Sequence, residues 1–505
     1  MLQAFRFALL VAPVAFAQQP CESLAQLKLN RAEITSAAPS ANLCVVKVVA
    51  RPSKDSEINL EVHLPISNWN GRYRQLGNGG WAGAVPVSAI KSAADLGYAA
   101  AGTDDGHPRG NGDASWAIGH PEKLIDFGHR AVHVTAVHAK TIISAFYGKP
   151  ATKHYFVGCS DGGREALQEA QRYPEDFEGI IAGAPAYDWS HHFAGFVWNA
   201  QALRKDPASF IPHEKLPAIQ KAALAVCDKI DGVADDLVED PRQCKFNPDV
   251  LLCKGADSPT CLTKPQLVAL KKIYAGPRNP RTGKQIYPGY APSTETLGNE
   301  WSNWILGKPP ARSIQMNFGL TFFGQAVYED PNWNYLTMEF DSDVAYGDQK
   351  AGVHINSNNP DLRSFRANGG KLLMYHGWAD GAISAYSSID YYDNVTNFLN
   401  RFPDGRAASK APVQDFFRLF MVPGMGHCGG GAGPNRFGNG NNAPFDPDRN
   451  IVAALERWVE QGTAPDKIIA TGAKPDFTRP LCPYPQKVTY NGTGNPNEAS
   501  SFSCK

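Results

Sequence analysis

The sequence has no excess of charge: 49 Lys and Arg residues balance 49 Asp and Glu residues. A surface built to hold a polyanion carries a basic surplus, so nucleic acid is not an expected partner. Long apolar runs are also lacking. The stretch from Phe7 to Phe16 is too short to span a bilayer and no other is longer, so no membrane partner is expected. There is no C-x-x-C pair, which argues against a zinc site. No internal repeat is present, and no low-complexity tract beyond the Gly/Asn-rich residues 429–442.

What is there points outward from the cell. Arg6 precedes the apolar stretch, and Ala15-Phe16-Ala17 forms an A-x-A site before Gln18, which predicts a signal peptide over residues 1–17. All ten cysteines follow it: Cys21, Cys44, Cys159, Cys227, Cys244, Cys253, Cys261, Cys428, Cys482 and Cys504. An even number in an exported chain reads as up to five disulfides, and the expected location is secreted or periplasmic. Asn394-Val395-Thr396 and Asn491-Gly492-Thr493 are glycosylation acceptors in a eukaryotic host.

The 505 residues suffice for a large core and more than one domain. Cys44 to Ala50, Ile58 to Leu64, Tyr73 to Leu76 and Gly97 to Gly102 read as short strands. Phe127 to Phe146 has helical spacing. His154 to Val157 reads as a buried strand, followed by a helix and a further strand at Gly179 to Gly183. Strand alternating with helix predicts an α/β fold with a mostly parallel sheet covered on both faces. The rhythm breaks after Tyr187 and resumes at Lys371 to His376, with another strand at Phe416 to Val422 and a helix at Ile451 to Gln461. Residues 188–358 are therefore expected to be an inserted domain, and 18–187 with 359–505 the α/β domain.

Gly158-Cys159-Ser160-Asp161-Gly162 stands between the buried strand and its helix. Strand, tight glycine turn, serine and helix make G-x-S-x-G a nucleophile elbow; the competing reading is a glycine-rich turn with an exposed serine. A serine hydroxyl needs a base oriented by a third group, in the chain order Ser, acid, His. Asp380, in the loop after Lys371 to His376, and His427, in the loop after Phe416 to Val422, meet that order at strand ends. Asp390, Asp393 and Asp415 sit in helix-like or pre-strand positions, and His376, His191 and His192 read as packing or surface. An oxyanion hole needs two backbone N–H donors. Asp161 N–H is one, and Gly79 or Gly80, in the loop Gly77 to Trp81, supplies the other. With this triad, Cys159 and Cys428 flank the nucleophile and the base, and a disulfide between them is expected.

In Asp228 to Leu237, acidic residues surround a glycine turn. Asp228, Asp231 and Asp235 could supply carboxylates and Val233 and Leu237 carbonyls to a hard cation; a solvated acidic turn is the alternative. The spacing is not that of an EF-hand.

The pair Gly158-Cys159-Ser160-Asp161-Gly162-Gly163 and Gly424-Met425-Gly426-His427-Cys428, with Tyr375-His376-Gly377-Trp378-Ala379-Asp380, resembles the tannase and feruloyl esterase family over nearly the whole mature chain. That resemblance implies an α/β-hydrolase fold with a large lid inserted between nucleophile and acid. It implies a structural calcium ion in the lid loop at Asp228 to Leu237. It implies the pairs Cys227–Cys244, Cys253–Cys261 and Cys482–Cys504, which leaves Cys21–Cys44. It also implies a secreted serine esterase acting on a small-molecule aromatic ester or a plant cell-wall or tannin ester, a feruloyl (hydroxycinnamoyl) ester first, with gallate esters or terephthalate monoesters as alternatives.

A terephthalate monoester would want a cation for its free carboxylate. No Arg or Lys lies between Phe318 and Trp333, and Arg312 is the nearest basic residue in that part. The lid aromatics Trp301, Trp304, Phe318, Phe322, Phe323, Tyr328 and Trp333 are expected to form lid core and, in part, the walls of an acyl site. A peptidase or lipase would share the triad, and a catalytically inactive binding module would share the fold.

Overall fold

A computed structural model of the chain describes residues 18–108, 110, 112–309, 311–400, 412–440, 443–473 and 476–505. The expected signal peptide lies outside the described residues, as do residues 441–442 of the Gly/Asn-rich stretch.

Among the described residues nine strands form one sheet: β1 (Ala32–Ser40), β2 (Leu43–Ala50), β3 (Ile58–Pro65), β4 (Arg72–Leu76), β5 (Ala99–Thr103), β6 (Lys153–Cys159), β7 (Gly179–Gly183), β8 (Lys371–Gly377) and β9 (Phe417–Val422). Their order is β1-β2-β3-β5-β4-β6-β7-β8-β9. From β5 to β9 all neighbours run parallel, and β1, β2 and β3 add an antiparallel edge. Every residue of β5 and β7 is buried, because helices cover both faces of the parallel part.

β1 has no counterpart in the sequence reading. Its Ser- and Ala-rich stretch with Pro39 is largely exposed, and it is a strand because it pairs with β2 from Ala32↔Ala50 to Ser40↔Leu43. The Phe127 to Phe146 helix opens as a wide turn at Asp126–Arg130 and continues as Ala131–Tyr147.

The chain between β7 and β8 contributes no strand to the sheet among the described residues. It holds the helices Trp189–Arg204, Leu216–Cys227 and Lys264–Ala275 with many short helical turns. This lid is seated on the α/β domain by Trp81 of the β4 loop. The Trp81 ring is wholly buried among Phe127, Trp189, Phe193 and Phe322, and its Nε1–H donates to Thr321 Oγ1 at 3.0 Å. Trp301, Phe322 and Phe323 are lid core, while Tyr328 and Trp333 stack on each other with centroids 6.0 Å apart.

The disulfides are Cys21–Cys44, Cys159–Cys428, Cys227–Cys244, Cys253–Cys261 and Cys482–Cys504. Among the described residues no helix is long and apolar enough to cross a membrane.

Candidate active site

The strand-to-helix turn after β6 is tight. Ser160 has φ 66° and ψ −120°, a left-handed conformation that a side chain adopts only where its surroundings enforce it. Here Ser160 N–H donates to Gly183 O and Ser160 O accepts from Ala186 N–H and Arg164 N–H. A Cβ at Gly158 would lie 2.3 Å from Gly162 O, and one at Gly162 would lie 2.8 Å from Asn78 O. Close approach, not flexibility, is why those two positions are glycine.

The loops after β8 and β9 bring their side chains to the serine. His427 Nε2 lies 2.9 Å from Ser160 Oγ, and His427 Nδ1 lies 2.8 Å from Asp380 Oδ2. Asp380 is buried, and its Oδ1 accepts the N–H groups of Ala382 and Ile383, each at 2.8 Å. Burial would raise its pKa, but the charge of His427 and hydrogen bonds from His376 and His427 hold it well below the usual carboxylate range. Burial would lower the pKa of His427; the charge and hydrogen bond of Asp380 and the charge of Glu300 outweigh it and raise it.

His376 has a larger part than packing. It is fully buried, its Nε2 is 3.1 Å from Asp380 Oδ2, and its Nδ1 is 2.7 Å from Ser388 Oγ, so it helps fix the acid. His192 faces the site with Nε2 3.1 Å from Ala382 O, and burial pushes its pKa down to about 4. His191 sits apart, bound to Asp188 and Asp348.

Asp161 begins the helix Asp161–Arg172, so its N–H lies in the first turn and has no partner within the helix. Its side chain is pinned by Arg164, whose guanidinium also donates to Gly128 O and Phe127 O. The 79–80 loop is held through Asn78, whose N–H donates to Glu165 Oε2 at 3.1 Å and whose Nδ2 donates to Thr103 O at 2.6 Å. Among the described residues, no protein acceptor engages the N–H of Asp161, Gly79 or Gly80. All three residues line one cavity with Ser160 and His427.

That cavity has a volume of about 740 Å³, inside the usual range for a small-molecule site. Trp304 and Phe318 are the two expected lid aromatics that reach it. The other apolar wall is Trp189, Phe193 and Phe196, one face of the lid's first helix. The sequence reading missed these three, although their four- and three-residue spacing puts them on one helical stripe. Arg312, the nearest basic residue to the aromatic stretch in the sequence, lines the cavity and is exposed, so the lack of Arg or Lys between Phe318 and Trp333 does not leave the cavity without a cation. Proximity there comes from the turn before the helix Ile314–Leu320, not from the aromatic stretch itself.

Among the described residues the carboxylates of Asp105, Asp161 and Glu165 converge on one point, whereas those of the lid-loop residues Asp228, Asp231 and Asp235 do not. In the lid loop, Asp231 Oδ1 accepts from Val233 N–H, Asp228 Oδ1 from Asp235 N–H, and Asp235 Oδ1 from Leu237 N–H. The carbonyls of Val233 and Leu237 accept no hydrogen bond among the described residues. Burial, then the charge of Asp235, pushes Asp231 up to about 6 despite Val233 N–H. The donor set, carboxylates with free carbonyls, suits a hard cation; Arg479, bonded to Asp235 and Glu239, supplies part of the balancing charge. The converging cluster, Asp105, Asp161 and Glu165, is wholly buried beneath the nucleophile turn and already holds Arg164.

The family model described as tannase and feruloyl esterase matches residues 44–505. An uncharacterized esterase from Xanthomonas campestris pv. campestris is 40% identical over 532 residues, covering 97% of this chain and 92% of that protein. A probable feruloyl esterase B-2 from Aspergillus terreus is 33% identical over 487 residues, covering 93% of this chain and 87% of that protein. The crystal structure of feruloyl esterase B from Aspergillus oryzae superposes with a TM-score of 0.86 at 29% identity, covering 96% of this chain and 99% of that one. The fold is that of an α/β-hydrolase with an inserted lid.

Proposed function

We propose a reaction for this chain on the premise that it belongs to the tannase and feruloyl esterase family. It is a carboxylic-ester hydrolase. The observation that carries the rest is the line of two hydrogen bonds, Ser160–His427 at 2.9 Å and His427–Asp380 at 2.8 Å, opening on an aromatic-walled cavity.

His427 takes the proton of Ser160 Oγ as the oxygen attacks the ester carbonyl. The oxyanion is met by Asp161 N–H and an N–H of the Gly79–Gly80 loop, donors with no protein acceptor to give up. Asp380, fixed by Ala382, Ile383 and His376, holds the imidazole in the tautomer that accepts from serine and stabilises its charged form. Protonated His427 gives its proton to the leaving alkoxide, and the alcohol departs. Water, deprotonated by the same histidine, then releases the acid from Ser160.

The acyl group we assign is aromatic, a hydroxycinnamoyl group such as feruloyl. Rings of Trp304, Phe318, Trp189 and Phe193 offer flat apolar faces, and Asn317 and Ser313 offer polar contacts for ring substituents. Related proteins carry feruloyl esterase names. Gallate esters are the nearest alternative. Arg312 on the cavity wall favours a second reading, an acyl group bearing a free carboxylate, such as a terephthalate monoester. Initial rates on methyl ferulate, methyl gallate, a terephthalate monoester and a long-chain ester decide among these. The feruloyl reading requires the highest kcat/KM on methyl ferulate, and fails if the gallate, the monoester or the long-chain ester is preferred.

We assign the loop Asp228 to Leu237 to a structural Ca2+, held by the carboxylates of Asp228, Asp231 and Asp235 and the carbonyls of Val233 and Leu237. When bound, the ion would neutralise clustered charge in a lid poor in regular structure. We assign the protein to a secreted or periplasmic location, a reading that its five disulfides support.

A further inference from the structure

We propose that Glu300 of the lid is a positioning residue for the triad, its carboxylate tying the loop of the acid to the loop of the base. The inference rests on the reading of Ser160, His427 and Asp380 as the reacting set. Glu300 Oε2 accepts the N–H of Gly381, the residue after Asp380, at 3.1 Å. Its other oxygen, Oε1, accepts the backbone N–H of His427 itself at 3.2 Å. The two loops belong to different strands, β8 and β9, and this one side chain from a third part of the chain spans them.

The surroundings are shaped for that carboxylate. A Cβ at Gly426 would lie 2.4 Å from Glu300 Oε1, and one at Gly381 would lie 2.8 Å from Glu300 backbone. Both loops are therefore glycine where Glu300 approaches. The lid turn just before it, at Gly298, packs on Gly431 of the base loop, and Trp304, four residues on, stands edge-on to the His427 ring. The segment 298–304 thus touches the base from both its backbone side and its ring side.

Two N–H donors on two different oxygens fit an ionised carboxylate. A neutral amide has one acceptor oxygen and would leave one N–H unmet. The groups facing Glu300 are Asp380 from the acid loop, His427 from the base loop and Tyr290 from the lid, with His376 and His192 behind Asp380. Burial, then the charge of Asp380, pushes Glu300 up to about 7, against the two N–H donors and His427. The negative charge of Glu300 raises His427 in turn. Removing it lets His427 stay neutral to lower pH, a change that a purely structural strut would not cause.

The test compares wild type, E300Q, E300D and S160A on 4-nitrophenyl acetate, an ester small enough that acyl preference does not decide the outcome. Circular dichroism and the thermal midpoint confirm folding. The expected result for E300Q is a kcat lower by about 10- to 100-fold with KM within about threefold, and an acid limb of kcat/KM displaced to lower pH. E300D keeps the charge but loses reach, so its kcat falls while its acid limb stays in place. A folded E300Q with kcat within about twofold of wild type, or with an equal loss and an unmoved limb, overturns the proposal. If E300Q does not fold, E300D decides: wild-type kcat there overturns it. Wild-type turnover by S160A would instead remove the triad reading, and Glu300's role with it.

Discussion

Trp304 stands edge-on to His427, with ring centroids 5.2 Å apart and an interplanar angle of 69°. A lid residue thus lines the cavity at Ser160 and also packs against the His427 ring. Trp304→Ala should raise KM for methyl ferulate by about tenfold, as one aromatic contact is worth about 0.5–1.5 kcal/mol beyond its buried area. Turnover of methyl acetate should change much less. Steady-state kinetics on both esters check this; equal effects would mean that Trp304 does not contact the acyl ring.

The pH dependence follows from the base. His427 must be neutral to accept the serine proton, and its pKa lies above the ordinary histidine value of 6.5. Activity should rise with pH through that raised value and fall away below it. Asp380→Asn leaves the imidazole in the wrong tautomer and should lower kcat by about 10⁴-fold, by analogy with the serine-triad template. A pH–rate profile of the two proteins measures both effects. A wild-type acid limb below 6.5 would contradict the electrostatic account.

Much of this site was legible because its chemistry is local. Ser160 is marked by Gly158 and Gly162, whose close contacts are fixed by the turn itself. Asp380 and His427 stand directly after buried strands, where apolar runs announce the strand ends. Glu300 was not legible. Nothing local separates it from the other acidic residues, and its partners lie 81 and 127 positions away. The cavity wall at Trp189, Phe193 and Phe196 was hidden differently. A stripe of aromatics on a helix reads equally as core, and only docking over Ser160 shows which rings face the cavity. The edge strand β1 was missed because exposed Ser and Ala carry no alternating pattern.

The Cys159–Cys428 bond joins residues 269 positions apart and adjoins both Ser160 and His427. Replacing both cysteines by serine should lower stability by about 2–4 kcal/mol. It should also lower kcat, since the loop of His427 then loses its covalent tie to the Ser160 turn and keeps only hydrogen bonds, such as His427 N–H to Glu300 and Ala379 N–H to Met425 O, and packing. Urea unfolding alongside kinetics tests this. Unchanged stability and kcat would show that the bond holds neither loop.

Calcium should stabilise the protein without entering the reaction. At a hundredfold excess over Kd, binding adds about 2.7 kcal/mol to the folded state. Thermal scans with added CaCl2 and with EDTA should show the midpoint rising and falling accordingly. Asp231→Asn with Asp235→Asn should abolish the response while kcat at low temperature persists. No calcium response in wild type would remove the ion from this loop.

The central claim is that Ser160 carries the acyl group. Incubation with a serine-directed fluorophosphonate, followed by peptide mapping, tests it most directly. The account predicts a single stoichiometric label on Ser160, loss of methyl ferulate hydrolysis in step with labelling, and no label on folded Ser160→Ala. A label on another residue, or full activity with Ser160 labelled, would contradict it.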